Sequence, residues 1–152
     1  MRVWVDASTL IALDAIGEAS LLKDLLGRIA LTTEVAAEVY NGRESDGLRR
    51  ARGTWIGTAP VAGDRRRWEA LGLGRGEASL FLTPKGDRLI LDDVPARTVA
   101  EAEGRAYAGL LGLLLAGARS GRISPDRARQ VLRRLVQSGF RVATDLYDEV
   151  LR

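Results

Sequence analysis

Short apolar runs alternate with stretches of helical periodicity along most of this chain. Val3 to Val5 form a brief apolar run that stops at Asp6, as a short buried strand does. From Ala7 to Leu26 the apolar positions Leu10, Ile11, Leu13, Ile16, Leu21, Leu22, Leu25 and Leu26 recur mostly at helical spacing, with a break near Gly17. That pattern predicts one helix or two. Gly27 is placed to close the segment, Arg28 to Leu31 reads as a second strand, and Thr32 or Thr33 can cap a helix running to about Tyr40. Asn41 to Asp64 is rich in Gly and Arg and contains Pro60. It reads as a loop with a short helix around Leu48 and a strand over Trp55 to Val61.

From Gly76 the alternation resumes: a helix to about Leu82, a turn at Pro84 to Asp87, and a strand at Arg88 to Leu91 that runs into Asp92 and Asp93. Pro95 suits the first turn of a helix reaching about Glu103. Arg105 to Ala108 reads as a last short strand and Gly109 to Arg119 as an apolar helix. Ser124, Pro125 and Asp126 combine a capping hydroxyl, a first-turn proline and a first-turn acid, so a helix is predicted through Gln137. Thr144 to Leu151 reads as a short closing helix. Strands alternating with helices imply an α/β fold whose parallel sheet is covered on both faces.

Length changes this picture little: 152 residues suit one compact domain, read here as 1–152. Composition changes it more. With no histidine and no cysteine, Ser-His-Asp and Cys-His nucleophiles, zinc sites of the His/Cys kind and disulfide scaffolds are excluded. Chemistry must rest on carboxylates, hydroxyls, amines or a metal with oxygen ligands. The first residues lack the pattern of a signal peptide, and the longest apolar run is about half of the ~20 residues a membrane span needs. A soluble, cytoplasmic protein without membrane contact is expected. The net charge is +3, and all basic residues except Lys23 and Lys85 are arginine. Arginine suits bidentate phosphate or carboxylate recognition, although codon bias in a GC-rich genome raises its count as well.

Candidate chemistry gathers at acids placed where strands end or helices begin. Asp6 and Asp92, with Asp93, follow apolar strands directly, and in an open parallel sheet that is the edge where sites lie. Glu77 opens a helix beside Gly76, and Glu38 lies four residues after Glu34 on one helix face. Carboxylates held close together resist joint ionisation unless a cation sits among them, and oxygen ligands suit Mg²⁺ or Mn²⁺. Each acid also has a plain structural reading. Asp6 can cap the next helix, with Ser8 as a rival cap. Glu77 can answer the helix dipole, Glu38 and Glu34 can be solvated helix residues, and Asp92 with Asp93 can be a turn and a cap before Pro95.

Six blocks, VWVDASTLIAL, LTTEVAAEVY, LGRGEASLFL, LILDDVPARTVAE, AGLLGLLLAGARSGRI and LRRLVQSGFRVATDLYDEVL, resemble in order and spacing the DUF3368 family of PIN-like proteins. The resemblance covers nearly the whole chain. It implies a three-layer α/β/α sandwich around a short parallel sheet, with acids at one edge holding Mg²⁺ or Mn²⁺. It further implies a metal-dependent ribonuclease, as characterised PIN proteins mostly are, many of them toxins masked by a small antitoxin protein.

Carried across residue by residue, Asp6, Glu38, Glu77, Asp92 and Asp93 match the family's acids, with Asp6, Glu77 and one or both of Asp92 and Asp93 on the metal. Ser8 and Arg97 match supporting positions. Two departures concern substrate contacts: Gly109, Leu110, Leu111 and Gly112 stand where the family pattern has Gly-Thr-x-Gly, and Val94 stands where a basic residue often follows the acid pair. RNA recognition would fall to the lopsided stretch holding Arg49, Arg50, Arg52, Arg65, Arg66 and Arg67, where a solvated charge run is the competing reading. Trp55 and Trp68 lie within or beside it, as core packing or as stacking surfaces. PIN proteins often pair, so a homodimer is a further expectation, with Gly109 to Ala118 and the Val131 to Val136 face as candidate surfaces, although a buried core helix is the simpler account of them. The alternative function is a catalytically silent PIN-like module that binds nucleic acid or a partner.

Overall fold

The computed structural model describes residues 1–141. Five strands, β1 (Val3–Val5), β2 (Ile29–Thr32), β3 (Ile56–Ala59), β4 (Arg88–Ile90) and β5 (Tyr107–Ala108), form one sheet in the order β3-β2-β1-β4-β5, every pair parallel. Between and after them run α1 (Ala7–Ala15), α2 (Leu21–Leu26), α3 (Thr33–Val39), α4 (Asp46–Ala51), α5 (Arg66–Glu69), α6 (Arg75–Leu80), α7 (Val94–Ala102), α8 (Leu110–Ser120) and α9 (Pro125–Gln137). The helix α3 packs against α1 and α6, while α8 packs against α2 and α9, completing the three-layer α/β/α sandwich. Among the described residues no helix is long and apolar enough to cross a membrane.

The inner strands β1, β2 and β4 are mostly apolar without alternation because helices cover both faces of the sheet there, whereas edge strand β3 exposes Gly57 and Thr58. Trp4, Val5, Leu31, Leu89 and Ile90 are all essentially inaccessible, and β1 in the middle of the sheet pairs Val5 with Ile90 and Trp4 with Ala30. The break near Gly17 separates α1 from α2, and Gly27, with φ at 75°, ends α2 in a conformation that glycine adopts without strain.

Thr32, rather than Thr33, caps α3 by accepting from the Val35 amide at 3.1 Å, and Ser124 caps α9 in the same way. The Thr32 hydroxyl also meets Ser79 Oγ at 2.7 Å, fully buried, and so joins β2 to α6. Thr32→Ala is expected to cost about 1–2 kcal/mol, read as a lower urea midpoint with an unchanged slope, because it removes a cap and a buried partner together.

Two features differ from the sequence pattern. The single turn α5 lies in the arginine-rich stretch, where no apolar periodicity marks a helix. The loop strand is shorter than expected, because among the described residues Pro60 and Val61 have no partner in the sheet. The expected closing helix at Thr144 to Leu151 lies outside the described residues.

Candidate active site

All five strands point the same way, so their carboxyl ends share one edge, and the order reverses between β1 and β4, where an open sheet leaves a crevice. Asp6 leaves β1 at this point. Its amide donates to Ile90 O at 3.0 Å, and its carboxylate, 1% exposed, accepts from the Thr9 amide at 2.9 Å through Oδ1 and from the Asp92 amide at 2.9 Å through Oδ2. Asp6 is therefore both the cap of α1 and the clamp joining the ends of β1 and β4. Ser8 donates to Asp6 Oδ2 at 3.3 Å, so it supports the acid rather than capping the helix. Burial outweighs these hydrogen bonds and pushes the Asp6 carboxyl up from 3.8 to about 6.

The two neighbouring acids divide. Asp92 turns inward: Oδ2 accepts the Thr9 hydroxyl at 2.5 Å, Oδ1 accepts the Leu110 amide at 3.0 Å, and Arg97 Nη2 lies 3.9 Å from Oδ1. Arg97 is fixed from behind by donating through Nε to Leu91 O at 2.9 Å, with its guanidinium 5.8 Å over the Tyr107 ring. A Cβ on Gly109 would run into that guanidinium and come within 2.9 Å of Asp92 Oδ1. Asp93 caps α7 through Oδ2, which accepts from the Ala96 amide at 3.1 Å, and its carboxyl faces Glu77.

Glu77 opens α6, with Oε1 accepting weakly from the Gly74 amide at 3.3 Å, whereas Oε2 is buried with no donor to it among the described residues, so that a hydrogen bond to Asp93 forms only when one of the two carboxyls is protonated. Burial first, then the hydrogen bond and the charge of Asp93, and finally Asp6, raise the Glu77 carboxyl from 4.5 to about 7. Glu38 stands apart. It is exposed, and its carboxylate lies against the Gly76 backbone so closely that a Cβ on Gly76 would strike Oε1. It thus reaches the start of α6 without figuring among the groups that perturb Asp6 or Glu77.

The arginine-rich stretch is largely neutralised by local acids. Arg49 pairs with Asp46 and Glu44, Arg65 with Glu34 and Glu69, Arg66 with Asp64, and Arg67 with Glu103. Arg52 lies over the Tyr40 ring, and the exposed Arg50 makes no ion pair among the described residues. Trp68 stacks on Phe81 with 6.2 Å between centroids, and Trp55 packs partly buried against the core, so both serve packing. In α8, Leu110, Leu111, Leu113, Leu114 and Gly117 are buried within the chain itself, and Val131 is likewise inside. Val94 stands 70% exposed beside the acid edge.

Thr9 and Tyr107 are contributors that the sequence pattern did not single out, and Leu110, noted there only as a departure from the family pattern, contributes through its amide. Thr9 carries a local signal, sitting three residues past a capping acid, but its bond to Asp92 spans 83 positions. Among the described residues no three acids gather into a preformed metal cage. The tight unit is the Glu77–Asp93 pair with Asp6 close by. A buried carboxylate oxygen without a partner, beside a second carboxylate, requires a proton or a cation. The acid set therefore fits a hard divalent ion.

Over residues 2–152 the chain matches a family model, DUF3368, described as a PIN domain. No curated protein and no solved structure matches it significantly.

Proposed function

This chain belongs to the DUF3368 family of PIN domains, a fold commonly found in nucleases that use divalent metal ions, and from that premise we propose that it is a Mg²⁺- or Mn²⁺-dependent ribonuclease. The observation that carries the reading is the buried, unpartnered Glu77 Oε2 beside Asp93 and Asp6 at the carboxyl edge of the sheet. Glu77 and Asp93 would hold the ion, with Asp6 behind them and Glu38 reaching the same edge from α3. When bound, the ion supplies Lewis acidity, a stronger nucleophile from water and counter-charge for phosphoryl oxygens.

The chain's own residues do the rest. Asp6 keeps the ends of β1 and β4 in register. Asp92 holds the start of α8 and orients Arg97, and Arg97 and the exposed Arg75 offer positive charge to a phosphate near the acids. Since most of the arginines between 49 and 67 already have acid partners, they contribute less to RNA binding than their number suggests.

A second reading, a catalytically silent module that binds nucleic acid or a partner, is favoured by one observation: Asp6 and Asp92 spend their oxygens on internal hydrogen bonds. An antitoxin masking the acid edge with an arginine, and a homodimer, are compatible with either reading. Incubation with RNA and Mn²⁺ decides between them. The ribonuclease reading expects cleavage that a chelator stops and added Mn²⁺ restores, whereas the silent module expects RNA retention with no products under either condition.

A further inference from the structure

A second group of functional side chains lies at the other end of the sheet. Lys85 precedes β4 and Arg105 precedes β5, so in a parallel sheet both sit at the amino ends of the strands, opposite the acids. With Arg67, Trp68, Phe81 and Glu103 they line a cavity of about 100 Å³. This is room for several waters or one small ion.

Arg105 is only 6% exposed, and its terminal nitrogens donate to neutral acceptors, chiefly Thr83 Oγ1 at 2.9 Å and Pro84 O at 3.1 Å. None of its hydrogen bonds among the described residues goes to a carboxylate, and its Nε is buried with no partner. The Trp68 indole N–H is orphaned in the same way. Two buried donors without acceptors belong to residues that line one cavity, and the buried guanidinium hydrogen-bonds only neutral acceptors, with Asp87 and Glu103 acting on it through space alone; such groups are ordinarily satisfied by an anion or by water. The lining carries three cations against one carboxylate, and Glu103 is already engaged by Arg67 Nη2 at 2.7 Å. Every unsatisfied group is a donor, so the ligand must be an acceptor only.

We propose that this cavity binds a phosphate-type oxyanion, held by Arg105 Nε, the Trp68 indole N–H and the Lys85 ammonium, at a site separate from the acid edge. The ligand is either free phosphate or the phosphate end of a nucleotide.

Nitrogen-labelled full-length protein titrated with inorganic phosphate at constant ionic strength tests this by NMR, with the Trp68 indole signal assigned through Trp68→Phe. Saturable shifts of the Trp68 indole and Arg105 Nε–H signals are expected, with none from chloride. Lys85 is exposed, so Lys85→Ala is expected to weaken phosphate binding about tenfold without lowering the thermal midpoint, and Lys85→Arg to retain binding. Tighter binding of a 5′-phosphorylated dinucleotide identifies a nucleic-acid end as the source, and equal binding identifies the free ion. Shifts that never saturate, as water alone in the cavity would give, or an affinity unchanged in Lys85→Ala, overturn the proposal.

Discussion

Glu77→Gln is expected to lower metal-dependent RNA cleavage by about a hundredfold or more while leaving the protein more stable at pH 8. The two effects share one cause. In the parent chain Glu77 Oε2 has no donor and faces the Asp93 carboxyl, so at pH 8 two negative charges meet at a site that is partly desolvated. A glutamine keeps an acceptor for the Gly74 amide and places an N–H toward Asp93, replacing repulsion with a hydrogen bond. Because Glu77 is partly exposed, solvent screening reduces the gain to about 1 kcal/mol.

The same change removes the charge that a divalent ion needs. Initial rates with Mn²⁺ and urea midpoints at pH 8 check both halves. Full activity in the variant would remove Glu77 from the site, and reduced stability would show that the pair is not under electrostatic strain. Asp92→Asn is the contrast. Its oxygens serve Thr9, Leu110 and Arg97, so the substitution is expected to lower stability and to slow cleavage less than Glu77→Gln does.

The contrast between these two acids also marks where the sequence stops being informative. Strand, helix and cap positions were legible because each has a local cause: the apolar run ending at Asp6, Thr32 three residues before Val35, Ser124 followed by Pro125. That Asp6 and Asp93 share one edge was legible too, since parallel strands must end together, whereas Glu77 follows no strand directly and joined them only through the family resemblance. The division of labour between Asp92 and Asp93 was not. It depends on Thr9 and Leu110 reaching Asp92 from distant parts of the chain, whereas Asp93 caps its own helix and turns to Glu77.

The arginine stretch misled for a similar reason. Its charge count is local, but the acids that cancel Arg65 and Arg67, Glu34 and Glu103, come from 31 and 36 positions away. The donors around Arg105 give no local signal at all, because an unpartnered Nε is a property of packing.

The acid edge further predicts that stability falls between about pH 4 and pH 7 and that a divalent ion restores it only at the upper end. Asp6 titrates near 3.8 unfolded and about 6 folded, and Glu77 near 4.5 unfolded and about 7 folded. The folded state thus binds these protons more tightly, so stability is highest while both stay protonated and is lost as pH rises through the folded values. For Asp6 the loss is ~3 kcal/mol, and Glu77 adds about 1 kcal/mol after screening.

Asp64, held down at about 2 by Arg66, works in the opposite sense, but only below pH 3.8. Arg97 offsets part of the repulsion from its side of Asp92, yet it does not reach the Glu77–Asp93 face. Urea unfolding with a chelator present at pH 4, pH 5 and pH 8 follows the loss across this window, about half of the Asp6 share falling below pH 5. Repeating it with Mn²⁺ should raise the midpoint at pH 8 and hardly change it at pH 5, because protons and the ion compete for the same oxygens. Equal stabilisation at both pH values would place the ion elsewhere on the protein. No stabilisation at either would leave the carboxylates as a structural clamp and favour the silent module over the nuclease.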